Sequence, residues 1–345
     1  MLDPAIIGNH WLLKYIGSSV IGVAFSPDGR VLASVGANYR VRLSAVESGH
    51  DWWQISGIGV TFSPTGKMMA AVGRDSKAHL WELNQGRELK RVEGPRMRSV
   101  VFSHDGQTLA GVTDGSLRDK VMVWNTTDQK PVRKMKGQWY GLQNVAFSPN
   151  GELLAGGSKR VRVWHVESGR VLQELAGHTE IIEAISFSPD GRLLATAARN
   201  GVIILWNVQT GQVAAQLTGH TNEVHSVAFS PNGQLLASAC WDKTIGLWNV
   251  ESGALLGRLH GHHSYVHCVA FSPDGRFLAS GSWDRTVRLW GINVSEDEWQ
   301  HIARQWQQRL SPGWRKAGRC EQCGDRVRFW NRWRGVRRCS LHRKN

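Results

Sequence analysis

The stretch VHSVAFSPNGQLLASACWDKTIGLWN, residues 224–249, contains the unit from which most of the chain is built. Val224 to Phe229 alternates in the manner of a half-buried strand. Ser230-Pro231-Asn232-Gly233 then stops it, because proline lacks the N–H a central ladder needs and the proline–glycine pair suits a tight turn. A second apolar run, Leu235 to Ala239, leads to the polar turn Trp241-Asp242-Lys243-Thr244. A third run, Ile245 to Trp248, follows, and Asn249 to Gly253 turns the chain toward the next unit. One unit is thus a small antiparallel sheet.

The phrase Phe-Ser-Pro-Asp-Gly, or a close variant, occurs seven times. Its phenylalanines are Phe25, Phe62, Phe102, Phe147, Phe187, Phe229 and Phe271, at intervals of 37, 40, 45, 40, 42 and 42 residues. A period near 40 residues with strand patterning indicates small sheets stacked radially about an axis, burying their faces against one another and exposing only short edges. The expected fold is all-β, with seven blades. His10 to Ile16 precede the first full repeat and read as an isolated strand.

These units resemble the WD40 family over residues 10–292, most closely in the last three. There Gly177-His178, Gly219-His220 and Gly261-His262 are followed by Thr196, Ser238 and Ser280, by Asn200, Asp242 and Asp284, and by Trp206, Trp248 and Trp290. The resemblance implies a hydrogen-bonded set in each blade. The acid orients the histidine, the histidine bonds the hydroxyl, and the hydroxyl reaches the indole N–H; such a set is favourable only when every member is satisfied. It also implies that the isolated N-terminal strand completes the seventh blade and closes the ring. The first four units depart from the pattern. None has the Gly-His pair, Ser44 stands where a tryptophan is expected, and unit four has Ser158-Lys159-Arg160 with no aspartate, so less rigid blades are expected there.

Fourteen histidines with Asp and Ser nearby invite a hydrolase reading. Catalytic constellations are single and asymmetric, however, whereas His178, His220 and His262 recur once per blade. No nucleophile elbow, phosphate-cradling loop or His-Glu-x-x-His helix is present. The expectation is a protein that is not an enzyme and has no small-molecule substrate. Cys240 and Cys268 read as small core residues. In the resembling family, partners bind on the narrower face, at the entrance to the first strand and just before the turn aspartate. That implies Arg74 in blade two, Arg96, Arg98 and Arg118 in blade three, and Glu183 and Arg199 in blade five. Blade six adds Glu223, His225 and Trp241, and blade seven Tyr265, His267 and Trp283. Tryptophan, tyrosine and arginine dominate binding hot spots; the alternative is that Trp241 and Trp283 only pack between blades. Arginines on one side and aromatics on the other suit a partner that is part acidic and part apolar.

After Trp290 the pattern changes. Ser295 caps a stretch with Glu296, Asp297 and Glu298 in its first turn, and Trp299, Ile302, Ala303, Trp306 and Leu310 fall on one helical face before Pro312-Gly313. An amphipathic helix and linker are expected over 293–313, packing either on the propeller's own side or on a partner. Residues 314–345 then carry Cys320-x2-Cys323 and Cys339-x2-His342, metal-ligand spacing for a tetrahedral structural Zn²⁺ with no position left for water. Between the knuckles, arginine alternates with aromatic and apolar residues: Arg326, Arg328, Trp330, Arg332, Trp333, Arg334, Arg337 and Arg338 can contact phosphates and stack on unpaired bases. RNA or single-stranded DNA is one expected ligand of this tail, and an acidic protein surface is the other. Most of the chain's +14 charge lies here, since residues 311–345 carry eleven Lys/Arg against Glu321 and Asp325.

The sequence therefore predicts a propeller over 1–292 that assembles protein partners, with the zinc tail as a secondary docking element. A nucleic-acid-binding adaptor is the alternative. No run approaches the roughly 18 apolar residues of a membrane span, and the odd, clustered cysteines do not suit a secreted disulfide framework. A cytoplasmic protein with no membrane contact is expected.

Overall fold

The Ser-Pro-Asp-Gly turn does the same work in every repeat. In blade six the Ser230 hydroxyl donates to Asn232 Oδ1 at 2.6 Å and accepts from the Leu235 amide at 2.9 Å, while the Gln234 amide donates to the same Oδ1 at 3.1 Å. Gly233 closes the turn at φ +72°, a conformation that favours glycine. The turn's buried polar atoms are thereby satisfied, which lets the serine sit in the core. Adjacent turns also touch. A Cβ on Gly233 would meet Pro189 of blade five at 3.8 Å, one on Gly275 would meet Pro231 at 3.5 Å, and one on Gly29 would meet Pro273 of blade seven at 3.6 Å. The contact fails at Gly151, because blade three has His104 in place of the proline.

These turns lie in a computed structural model that describes residues 10–15, 17–47, 49, 51–92, 96–113, 120–127, 131–135 and 142–292. The strand β1 (His10–Tyr15) comes first. Blade one is β2 (Val20–Phe25), β3 (Val31–Gly36), β4 (Arg40–Ala45) and β5 (Asp51–Ser56). Blade two is β6 (Gly59–Phe62), β7 (Met68–Val72), β8 (Ala78–Glu82) and β9 (Arg87–Arg91). Blade three is β10 (Met97–Phe102), β11 (Thr108–Thr113), β12 (Lys120–Asn125) and β13 (Pro131–Met135). Blade four is β14 (Val145–Phe147), β15 (Leu153–Gly157), β16 (Val161–His165) and β17 (Val171–Leu175). Blade five is β18 (Ile182–Phe187), β19 (Leu193–Ala198), β20 (Ile203–Asn207) and β21 (Val213–Leu217). Blade six is β22 (Val224–Phe229), β23 (Leu235–Cys240), β24 (Ile245–Asn249) and β25 (Leu255–Leu259). Blade seven is β26 (Val266–Phe271), β27 (Phe277–Ser282) and β28 (Thr286–Gly291), completed by β1.

The ring closes where the N-terminus meets the last repeat: β1 runs antiparallel to β28, with His10 opposite Trp290 and Tyr15 opposite Thr286. The first strands of neighbouring blades touch in an unbroken cycle, β2 to β6 and on to β26, which returns to β2. The core is correspondingly divided into seams between blades. Ala195, Leu205 and Leu217 of blade five, for example, pack with Val224, Leu236 and Trp248 of blade six. Among the described residues no helix is long and apolar enough to cross a membrane. The amphipathic helix expected over 295–310 and the Cys320, Cys323, Cys339, His342 cluster lie outside the described residues, as do Arg118 and the tail residues from Arg326 to Arg338.

Candidate functional site

First strands begin, and turns between second and third strands fall, at one end of every blade, here called the upper rim. The frame beneath that rim is a set of buried polar side chains. In blade seven His262 Nδ1 lies 2.8 Å from Asp284 Oδ2 and its Nε2 lies 2.7 Å from the Ser280 hydroxyl, to which the Trp290 indole donates at 2.8 Å. Blade six repeats this with His220, Asp242, Ser238 and Trp248 at 2.7, 2.7 and 2.8 Å. Burial works to raise the Asp284 carboxyl, but the adjacent His262 and hydrogen bonds from His262, Thr286 and the His263 amide hold it well below the usual carboxylate range. Asp242 is held low in the same way by His220 and Thr244 against its own burial. Arg258, on the outer strand of blade six, donates to Asp242 Oδ2 at 3.1 Å and also bonds the Gly219 carbonyl. Nothing in the repeat pattern marks that arginine, since the facing positions of blades four and five are Glu174 and Gln216.

Blade five departs from expectation. His178 Nε2 bonds Thr196 at 2.8 Å and Trp206 donates to the same hydroxyl at 2.8 Å, but Asn200 turns away and donates to Thr179 Oγ1 at 3.1 Å. An amide nitrogen cannot do what a carboxylate does here, and His178 Nδ1 is left buried with no partner. Asn200 is therefore not the orienting member of the set, and burial pushes the His178 imidazole down to about 4. In blades two and four the hydroxyl is absent: Ala71 and Gly156 stand at its position, and the indole nitrogens of Trp81 and Trp164 are buried without a partner. In blade one Ser44 replaces the tryptophan and donates to Asp51 at 2.8 Å.

The rim itself is built on β-bulges. In five blades the register between first and second strands shifts at the second residue, and the extra residues are Ile21, Arg98, Glu183, His225 and His267. A bulged residue leaves the ladder and its side chain is re-aimed. Here the bulged residues meet side by side: His225 stacks on His267 with centroids 4.9 Å apart, and His267 in turn bonds the backbone of Ile21. Burial drives His267 down to about 4, and burial also lowers His225 below its ordinary value, so both positions favour the neutral ring.

From this pair an aromatic group runs outward across blades six and seven. Trp241 stacks on His225 at 4.3 Å and on Tyr265 at 4.8 Å, and Trp283 meets both Trp241 and Tyr265 at 5.4 Å. Trp241 thus packs between blades, while Trp283 is 41% exposed. Beside them Arg199 donates to Glu183 Oε1 at 2.7 Å and lies 3.8 Å from Glu223, which in turn is 3.1 Å from His225 Nε2. Asn144 of blade four donates to the Glu183 backbone carbonyl. The structure therefore brings together Glu183, Arg199, Glu223, His225, Trp241, Tyr265, His267 and Trp283. The expected arc of arginine is not continuous with them: Arg199 is neutralised by Glu183, and Arg74 lies over the Tyr39 ring with its guanidinium bonded to the Asn38 carbonyl at 3.0 Å. Arg96 and Arg98 are exposed on blade three.

His220, Cys240 and Asp242 present ligand-type atoms within 4.8 Å of one another, yet the group is not a metal centre. Both histidine nitrogens and the carboxylate are engaged in the hydrogen bonds above, the Cys240 sulfur is itself bonded within the blade, and burial pushes its thiol up to about 12. Cys240 does the work that Ser282 does in blade seven: each sulfur or oxygen bonds a carbonyl in the loop before the first strand, that of Asn222 or Ser264, and accepts the amide of the turn aspartate.

Seven four-stranded blades in a closed cycle, tied by an N-terminal strand, define a β-propeller. The family model described as "WD domain, G-beta repeat" matches residues 11–43, 44–82, 129–165, 169–207, 211–249 and 253–291, more than half of the sequence, and the chain belongs to the WD40 family. The unmatched interval after residue 82 includes most of blade three, whose hydroxyl position is Gly111. No curated protein matches the chain. WD40 propellers typically serve as protein-interaction scaffolds and are generally non-catalytic.

Proposed function

We propose that this propeller is a non-catalytic scaffold for protein assembly whose partner docks on the upper rim of blades six and seven. The observation that carries the reading is Trp283. Its ring is exposed yet braced by Tyr265 and Trp241, so little side-chain freedom is left to lose on binding. Glu223 and the Arg199–Glu183 pair beside it supply the polar border of such a surface. Full-length protein incubated with native lysate is expected to retain its partner after nuclease treatment. Trp283→Ala weakens that retention by about 30-fold, as loss of a hot-spot tryptophan worth ~2 kcal/mol does. Equal retention by the variant excludes this rim. Loss of every partner with the nucleic acid replaces the reading with the adaptor function, in which the arginine- and tryptophan-rich tail contacts RNA or single-stranded DNA.

The tail is assigned the secondary docking role, with Cys320, Cys323, Cys339 and His342 holding a structural Zn²⁺; its support is the ligand spacing. Metal analysis of the purified full-length chain tests it: Cys320→Ser combined with Cys323→Ser removes the zinc, and an unchanged zinc content refutes the site.

A further inference from the structure

The lower face of the ring carries a groove between blades five and six, with a volume of about 930 Å³. Its floor is apolar: Pro189, Leu193, Leu205, Pro231, Leu235 and Val250 line it, together with Ala214, Ala215 and Leu256 of the outer strands. Ala214 and Leu256 are there because of a second series of bulges. Each outer strand from β5 to β25 shifts register opposite the end of its third strand, and the extra residues are Trp52, Leu89, Val132, Leu172, Ala214 and Leu256. Bulges protect an edge from pairing with another strand, but these ones hold apolar side chains in solvent. Leu172 is 54% exposed and Val213, next to Ala214, is 51% exposed. Ala214, Ala215 and Leu256 carry the apolar floor of the groove onto the outer strands of blades five and six, and Ser188, Asp190, Asn232, Gln234, Asn249 and Glu251 complete its lining.

The chain leaves the described residues one blade away. Ile292 is the blade-seven counterpart of Val250: its amide bonds the Arg276 carbonyl at 2.9 Å, as that of Val250 bonds Gln234 at 3.0 Å. Ile292 also packs in the seam that contains Leu235, a residue of the groove wall. Packed sheets lie ~10 Å apart, and sixteen helical residues span about 24 Å. The helix expected from the sequence over 295–310 would start three residues after Ile292 and be long enough to cross blade six and reach the groove. Its apolar stripe of Trp299, Ile302, Ala303, Trp306 and Leu310 matches the floor, and Arg309, on the flank of that stripe, matches Asp190 and Glu251, the charged residues of the lining.

We propose that residues 295–310 of the same chain occupy this groove, docking the C-terminal extension on the lower face and leaving the upper rim open. The reading stands whether or not the upper rim binds a partner. A benzophenone amino acid placed at Trp306 of the full-length chain tests it. On irradiation, crosslinks within one chain to peptides spanning 188–193, 231–235 or 249–256 are expected, in a yield independent of protein concentration. Leu256→Glu combined with Ala214→Glu, both at exposed positions, lowers that yield about tenfold, the ratio that ~1.4 kcal/mol produces. The same label at Gln307, off the apolar stripe, gives far less. Crosslinks between two copies, crosslinks to another surface, or a yield no higher than from Gln307 would each overturn the proposal.

Discussion

Replacing Asp284 by alanine destabilises the protein by about 3–5 kcal/mol, the cost of removing one partner from a buried charged network. Its carboxylate accepts from His262 and from the His263 amide at 3.0 Å, and from the Thr286 amide and hydroxyl, so the change orphans four groups at once. The damage falls on the blade that closes the ring, where β1 depends on β28 being in place. Urea unfolding of Asp284→Ala against wild type measures the loss. Asn200→Ala, which removes two exposed bonds, one to Thr179 and one from the Val202 amide, is the control and costs about 1 kcal/mol. The pH dependence has a defined sign. Because the folded carboxyl is held below its ordinary value of 3.8, its contribution is complete above that pH and is lost as pH falls through the lower folded value. The carboxylate's own contribution is therefore flat at neutral pH and is lost only in strong acid. The gap between wild type and Asp284→Ala nevertheless widens once pH falls below the lowered value of His262, whose protonated ring Asp284 stabilises. A variant as stable as wild type at pH 7 would show that the network is decorative.

The second large effect runs the other way. Asn200→Asp is expected to stabilise blade five, because a carboxylate at that position gives His178 Nδ1 the partner that Asp242 and Asp284 give their histidines. In the wild type, burial lowers the His178 imidazole from 6.5 to about 4. The unfolded chain then binds a proton that the folded chain refuses, so stability declines between pH 6.5 and about 4. His267, also lowered to about 4, adds a decline of the same sign that the substitution leaves alone. The gain from Asn200→Asp is about 1 kcal/mol above pH 6.5, the worth of one hydrogen bond, and grows to roughly 2–3 kcal/mol near pH 5 as the protonated ring finds its counter-ion. Thermal unfolding of both proteins across pH 4.5–8 reads this as a shallower acid slope in the variant. Parallel slopes would mean that His178 is not the group that titrates.

The repeat was legible because its turn is chemically demanding. A buried serine, a proline without an N–H and a left-handed glycine recur only where the same backbone recurs, so the seven phenylalanines counted the blades correctly even in blade three, most of which the family model leaves unmatched. The outer strands were not legible. Arg87 to Arg91 and Val171 to Leu175 are edge strands, largely exposed, and their bulges break the alternation a strand is read by. Asn200 misled for a different reason. It has the size of the aspartate it replaces, and the loss shows only once its amide is seen to choose Thr179. At the rim the sequence put Trp241 and Trp283 in equivalent places. Their different roles, one sandwiched and one open, follow from Tyr265, which stacks on the first and meets only the edge of the second.

The bulges at the upper rim have a consequence for how such a surface can change. A residue within a strand is committed to one side of the sheet, and altering it alters a seam between blades. Ile21, Arg98, Glu183, His225 and His267 stand outside that alternation, which explains how an aliphatic, two charged groups and two imidazoles occupy one structural position in a single ring. The ring behaves as a fixed chassis with interchangeable sockets. Binding preference can be rewritten at those sockets while the seams that hold the blades together stay as they are.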